Sequence, residues 1–181
     1  RVPSWLARLL PEVDVFATTA AGMVPAFERA GARRAIWVPE GVHLPAFKPL
    51  RSGAPFPAVY RSDVAFVGNV FQPPVHNPDS ALRRWRLLDQ LGARFDVAVW
   101  GPQTPLGAAR HLAYPRVRLV RWPAYNDELV NVCRGSRNVL GINTVNTIER
   151  YFSNRTFLTL ASGGFHLTHY VPGLEELFVN H

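Results

Sequence analysis

The stretch YFSNRTFLTLASGGFHLTHYVPGLEELF, residues Tyr151–Phe178, reads as one loop–helix–strand–helix unit. Ser153 is suited to cap a helix over Asn154–Ser162, and Gly163 supplies the positive φ that ends it. Phe165–Tyr170 follows as a short β-rich run expected to form a buried strand. Pro172 stands where a first helical turn accepts proline, so Gly173–Phe178 is expected to start another helix carrying Glu175 and Glu176. Asn154, Arg155 and Thr156 fall on the first turn of the first helix, where free N–H groups and the helix dipole favour an anion. An ordinary capped helix with a solvated arginine is the alternative.

Working upstream, the same rhythm continues. Val64–Val67 reads as a buried strand, closed by Gly68–Asn69 and the proline-rich loop Phe71–Pro78. Asp79 or Ser80 can cap a helix over Ala81–Leu91, and Phe95–Trp100 and Val117–Val120 read as two further strands. Asn126 or Asp127 can start a helix over Glu128–Cys133, before a strand at Asn138–Ile142. Short apolar strands alternating with helices predict an α/β fold, a parallel sheet with helices on both faces. Nearer the start, a strand within Glu12–Thr19, a helix over Ala20–Ala30 closed by Gly31, and a strand at Ala35–Pro39 form a separate αβ unit. Residues 40–62, with four prolines before Arg61 and no clear period, read as a linker.

A parallel sheet binds ligands beyond the carboxyl ends of its strands. That rule selects Gly68–Asn69, Gly101–Pro102, Trp122–Tyr125, Asn143–Tyr151 and Tyr170–Pro172. Gly68 is small enough to let backbone approach a phosphate or sugar, though such a pair is also an ordinary turn. Trp122 and Tyr125 follow the third of these strands, where Trp122 can simply cover the sheet edge. Neither the GxGxxG nor the GxxxxGK[ST] fingerprint is present.

Composition narrows the classes. The 181 residues are 48% hydrophobic, enough for a sizeable core and against disorder. No apolar run reaches the length of a membrane span, and RVPSWLARLL is too short and interrupted for a signal peptide. The chain starts without methionine and is expected to be a segment of a longer protein. The single cysteine, Cys133, suits a reducing cytoplasm and reads as a core residue. The formal charge is +7, and all but one of the 20 basic residues are arginine, which favours phosphate-bearing partners. The arginines are scattered, in small groups at Arg33–Arg34, Arg83–Arg86 and Arg116–Arg121, so no nucleic-acid arm is visible.

The pattern NRTF-x-x-LA-x-GGF-x-LT-x-Y-x-P-x-LEELF, with LGIN at Leu140–Asn143 and FVGN at Phe66–Asn69, resembles the C-terminal domain of GT-B glycosyltransferases. Within that class it is most similar to the CgeB-like spore-maturation group, related to the group 1 (family 4-like) enzymes. The resemblance covers roughly Asp63 to the end. It implies a Rossmann-like C-terminal domain at 63–181, preceded by the end of an N-terminal Rossmann-like domain at 1–39 and an interdomain linker at 40–62. It also implies transfer of a sugar from a nucleotide-sugar, a co-substrate rather than a cofactor, to an unknown acceptor: a glycan, a protein or a small molecule. Nucleotide-sugar-binding candidates are Gly68, Asn69, Trp122, Tyr125, Asn143, Asn154, Arg155, Thr156, Tyr170 and Glu175. The chain has no D-x-D motif, which fits a reaction without a metal, and His166 and His169 lack a third ligand nearby. Retention of anomeric configuration is the stereochemistry that the resemblance implies.

Two positions depart from the family pattern. Leu158 stands where related enzymes carry a glutamate that holds the ribose, and Arg150, beside Glu149, stands where another glutamate is usual. A degenerate, non-catalytic binding module is therefore the alternative function. A phosphate-backbone binder using the arginine surface is a third.

Overall fold

A computed structural model describes residues 2–49, 56–68, 80–101, 116–120 and 124–178. The chain divides into two compact units, one of Arg1–Gly41, Val145–Asn154 and His169–His181, the other of Val42–Thr144 and Arg155–Thr168.

The second unit holds the main sheet. Its strands are β3 (Ser62–Val67), β4 (Val97–Trp100), β5 (Arg118–Val120), β6 (Ser136–Gly141) and β7 (His166–Thr168), ordered β5-β4-β3-β6-β7. All four pairings are parallel. β3 lies in the middle because both of its faces are apolar, and the pleat sends alternate residues to opposite sides. Val64 and Phe66 pack with Val97, Val99 and Val117 under Trp85 and Leu88 of helix α3 (Ser80–Gly92). Ala65 and Val67 pack on the other face with Ala98, Trp100 and Val139 under Leu129, Val132 and Cys133 of helix α4 (Asp127–Gly135). Trp85, Trp100, Leu88 and Val132 are fully buried.

Helix α5 (Arg155–Ala161) follows, within the bounds its sequence predicts. It ends in a Schellman turn: Gly163 takes φ 80°, its N–H bonds to Leu160 O at 3.0 Å, and the Gly164 N–H reaches back to Thr159 O at 3.0 Å. β7 differs from its expectation. It is an edge strand of three residues, with His166 and Thr168 turned inward and Phe165 and Leu167 exposed. Alternation across one covered face, rather than a fully apolar run, is what an edge strand requires.

The first unit carries helix α1 (Ser4–Leu9), strand β1 (Phe16–Thr18), helix α2 (Val24–Arg29) and strand β2 (Ala35–Trp37). β1 and β2 pair in parallel, and Leu10, Phe27, Ala32 and Ala35 form the core, with the Phe16 and Phe27 rings 4.6 Å apart. The helix expected over Ala20–Ala30 is split into a 3-10 turn at Ala21–Met23 and α2. Pro25 explains the break: it lacks an N–H and fits only the start of the α-helix. The helix expected from Gly173 is one 3-10 turn, Leu174–Glu176, because Gly173 sits at φ 83°, outside the helical region.

A carbon added to Gly164 would lie 2.6 Å from the Cys133 carbonyl oxygen, backbone against backbone. Gly164→Ala is therefore expected to cost about 1–3 kcal/mol through overpacking. Gly163→Ala, held at positive φ and with its added carbon 3.1 Å from Pro49 Cβ, should cost about 1 kcal/mol. Urea unfolding of both variants checks the order; equal midpoints would refute the clash.

Candidate active site

Because every strand of the main sheet is parallel, all the carboxyl ends meet at one edge. Gly68 follows β3 there, and its N–H donates to Trp100 O, at the end of β4, at 2.9 Å. A carbon on Gly68 would lie 3.0 Å from Phe66 Cζ and 3.7 Å from Arg155 Cζ. The Arg155 guanidinium thus lies directly beside the bare backbone of Gly68. A second arginine reaches the same place. Arg84, on α3, donates from Nη2 to Ile142 O and to Thr144 Oγ1, each at 3.0 Å, and its guanidinium lies 6.0 Å from the Phe66 ring centre. Burial, and then the charge of Arg155, hold the Arg84 pKa below the usual arginine value. The charge of Arg155 thus reaches Arg84, and two cations this near each other favour an anion.

The candidates from sequence divide as follows. Gly68, Asn143, Arg155 and Thr156 belong to the main-sheet unit, with Gly68, Asn143 and Arg155 at or near its carboxyl edge. Thr156 is turned inward: it is 4% exposed, and its Oγ1 lies 3.2 Å from His166 Nε2. Tyr125 lies just before α4 and is 68% exposed. Asn69 and Trp122 lie outside the described residues.

Asn154, Tyr170 and Glu175 belong to the first unit, where the tyrosine hydroxyl donates to Glu175 Oε1 at 3.3 Å. Its neighbour Glu176 has a separate task. It pairs with Arg150, whose backbone is held at φ 50° and whose N–H donates to Pro172 O at 2.8 Å. The Arg150 guanidinium stacks 4.8 Å over Trp37 and lies 3.8 Å from Glu149. A left-handed non-glycine residue costs about 1–3 kcal/mol and persists only where its surroundings hold it, as these do.

Arg84 is not among the candidates from sequence, because its group at Arg83–Arg86 reads as surface charge. The signal was present in the helical period: Arg84, Leu88 and Leu91 recur at i, i+4 and i+7, which points Arg84 at the sheet. Leu158, at the position of the expected glutamate, packs against the core cluster around Trp100 and Val132. Cys133 is also core. Burial pushes its thiol up to about 11, and its sulfur lies 3.6 Å from Thr159 Oγ1.

A family model described as "Glycosyl transferase-like" matches residues 83–181, more than half of the chain. The chain belongs to this glycosyl transferase-like family, and general glycosyl transfer is the chemistry of that family. No curated protein matches the chain. No helix among the described residues is long and apolar enough to cross a membrane.

Burial lowers the His166 pKa to about 4, so the folded ring stays neutral at acidic pH. An unfolded histidine titrates near 6.5. Stability from this residue is thus complete above pH ~6.5 and is lost as pH falls toward 4, by on the order of 2–3 kcal/mol. Urea unfolding at pH 7.5 and 4.5 should show that His166→Gln depends less on pH than the parent. Parallel curves would contradict a buried neutral imidazole.

Proposed function

We propose that the carboxyl edge of the main sheet binds the diphosphate of a nucleotide-sugar, and that the protein transfers the sugar without a metal. The observation that carries this is the convergence of Arg155 and Arg84 beside Gly68. When the bond from sugar to diphosphate breaks, negative charge grows on the departing phosphate. Two guanidiniums already fixed near that point stabilise it without reorganisation. They supply the charge that a divalent cation provides elsewhere, in keeping with a sequence lacking D-x-D. Gly68 leaves room for a phosphate oxygen to reach the backbone. Asn143 and the loop at Ile142–Thr144, tied down by Arg84, offer polar contacts to the same ligand. The exposed ring of Tyr125 is a candidate to stack on the base. The lone buried cysteine fits a cytoplasmic enzyme.

One observation favours a second reading, a binding module without turnover. Leu158 is committed to the core where related enzymes are expected to hold the ribose. In that case the diphosphate would bind and no sugar would move.

Calorimetric titration with UDP, GDP, ADP and TDP tests both. One diphosphate should bind, and Arg155→Ala should weaken it by about 1.5–3 kcal/mol, roughly 10- to 150-fold, the range for a hydrogen bond to a charged group. Binding without sugar release from the matching nucleotide-sugar selects the module. Failure of all four to bind overturns the donor site.

A further inference from the structure

The opposite, amino edge of the main sheet carries a cavity of about 450 Å³, lined by Phe56, Arg61, Ser62, Asp63, Asp96, Arg134, Gly135 and Arg137. It is a built recess. Its polar floor is Ser62, 7% exposed, whose hydroxyl lies 2.9 Å from that of Ser136 where β3 and β6 begin side by side. A carbon on Gly135 would lie 2.4 Å from the Phe56 ring and 2.5 Å from Tyr60 O, so only glycine lets this wall close.

The charges here do not cancel. Both carboxylates are already committed: Asp96 accepts from Arg118 Nη2 at 3.0 Å and Nε at 3.3 Å. Asp63 lies 3.4 Å from Arg137 and accepts the Asp96 N–H at 3.0 Å. Among the described residues Arg61 and Arg134 donate only to carbonyls, of Phe56 at 3.2 Å and of Lys48 at 3.0 Å. Carbonyl bonds orient a guanidinium without neutralising it. Two fixed cations therefore border the cavity with no carboxylate of their own among the described residues.

We propose that this recess is a second anion site that takes the phosphate group of a small organic phosphate. Arg61 and Arg134 bind the oxyanion, the paired Ser62 and Ser136 hydroxyls make the floor polar, and Phe56 flanks the organic body. The volume exceeds what a bare phosphate fills and lies in the range of small-molecule pockets. Guanidinium is the side chain suited to phosphate because its donors match the oxyanion geometry. The site stands apart from the donor reading, since none of its residues lies at the carboxyl edge.

The test is titration of the whole chain at low salt with phenyl phosphate and inorganic phosphate. Phenyl phosphate should bind more tightly than inorganic phosphate. Arg61→Gln should weaken phenyl phosphate about tenfold, the loss of one charge-assisted hydrogen bond. Arg61→Lys should weaken it less, and in Arg155→Ala the Arg61-dependent part of the binding should persist. Arg134→Gln should act like Arg61→Gln; because Arg134 also braces the Lys48 backbone, Arg61→Gln decides the matter if that variant does not fold. Wild-type affinity in Arg61→Gln overturns the site. So does loss of all phosphate binding in Arg155→Ala, which would assign every anion to the other edge and leave the donor reading standing.

Discussion

The main-sheet unit depends on one constraint: β3 is buried on both faces. A strand whose odd and even residues are both apolar needs a layer on each side, and α3 and α4 supply them. Once β3 is central, its neighbours β4 and β6 pair with it in parallel, and the edge strands β5 and β7 extend the same direction. Every carboxyl end then faces one way and every amino end the other. The two edges acquire different chemistry from this alone. One gathers glycines at the ends of β3 and β6, the other polar residues such as Ser62, Asp96 and Ser136 at or just before strand starts.

Arginine placement follows from the same geometry. Arg84 leaves α3 one turn before Leu88, so the period that buries Leu88 also brings the guanidinium over Phe66. Arg155 opens α5, and its reach ends at Gly68. The two meet although far apart in sequence, because β3 and β6 adjoin. Their mutual repulsion is tolerated since Arg84 donates to Ile142 O and Thr144 Oγ1, which hold the group in place despite its loss of water.

Much of this was legible from residues alone. Val64–Val67 and Asn138–Ile142 announce strands by apolar runs, and Gly163 marks a helix end that the observed φ and paired bonds satisfy. Less legible were features decided by context. Phe165–Tyr170 looks buried because it is β-rich, yet an edge position leaves Phe165 63% exposed. Pro25 was a local signal, and reading through it merged two elements into one helix. Gly173 was another: its left-handed backbone separates Pro172 from the turn that follows. The partners of the two adjacent glutamates could not be read at all. Glu175 meets Tyr170, and Glu176 meets Arg150, through contacts that only the folded first unit creates.

The two departures from the family pattern have different physical outcomes. Leu158 is half-buried and packs against an apolar cluster, so a carboxylate there would lose part of its hydration beside that cluster. A reversion to glutamate would thus cost stability before it offered a contact to a ribose. Arg150 is more deeply embedded. It sits in a left-handed backbone and combines a stacked indole, a carboxylate partner and a backbone bond to Pro172. Replacing it with glutamate would set three carboxylates together at residues 149, 150 and 176, where like charges repel. Any role of the usual glutamates is therefore met elsewhere in this chain, or not at all. The proposed diphosphate site at the carboxyl edge of the sheet does not turn on this, because it rests on Arg84 and Arg155 rather than on those two positions.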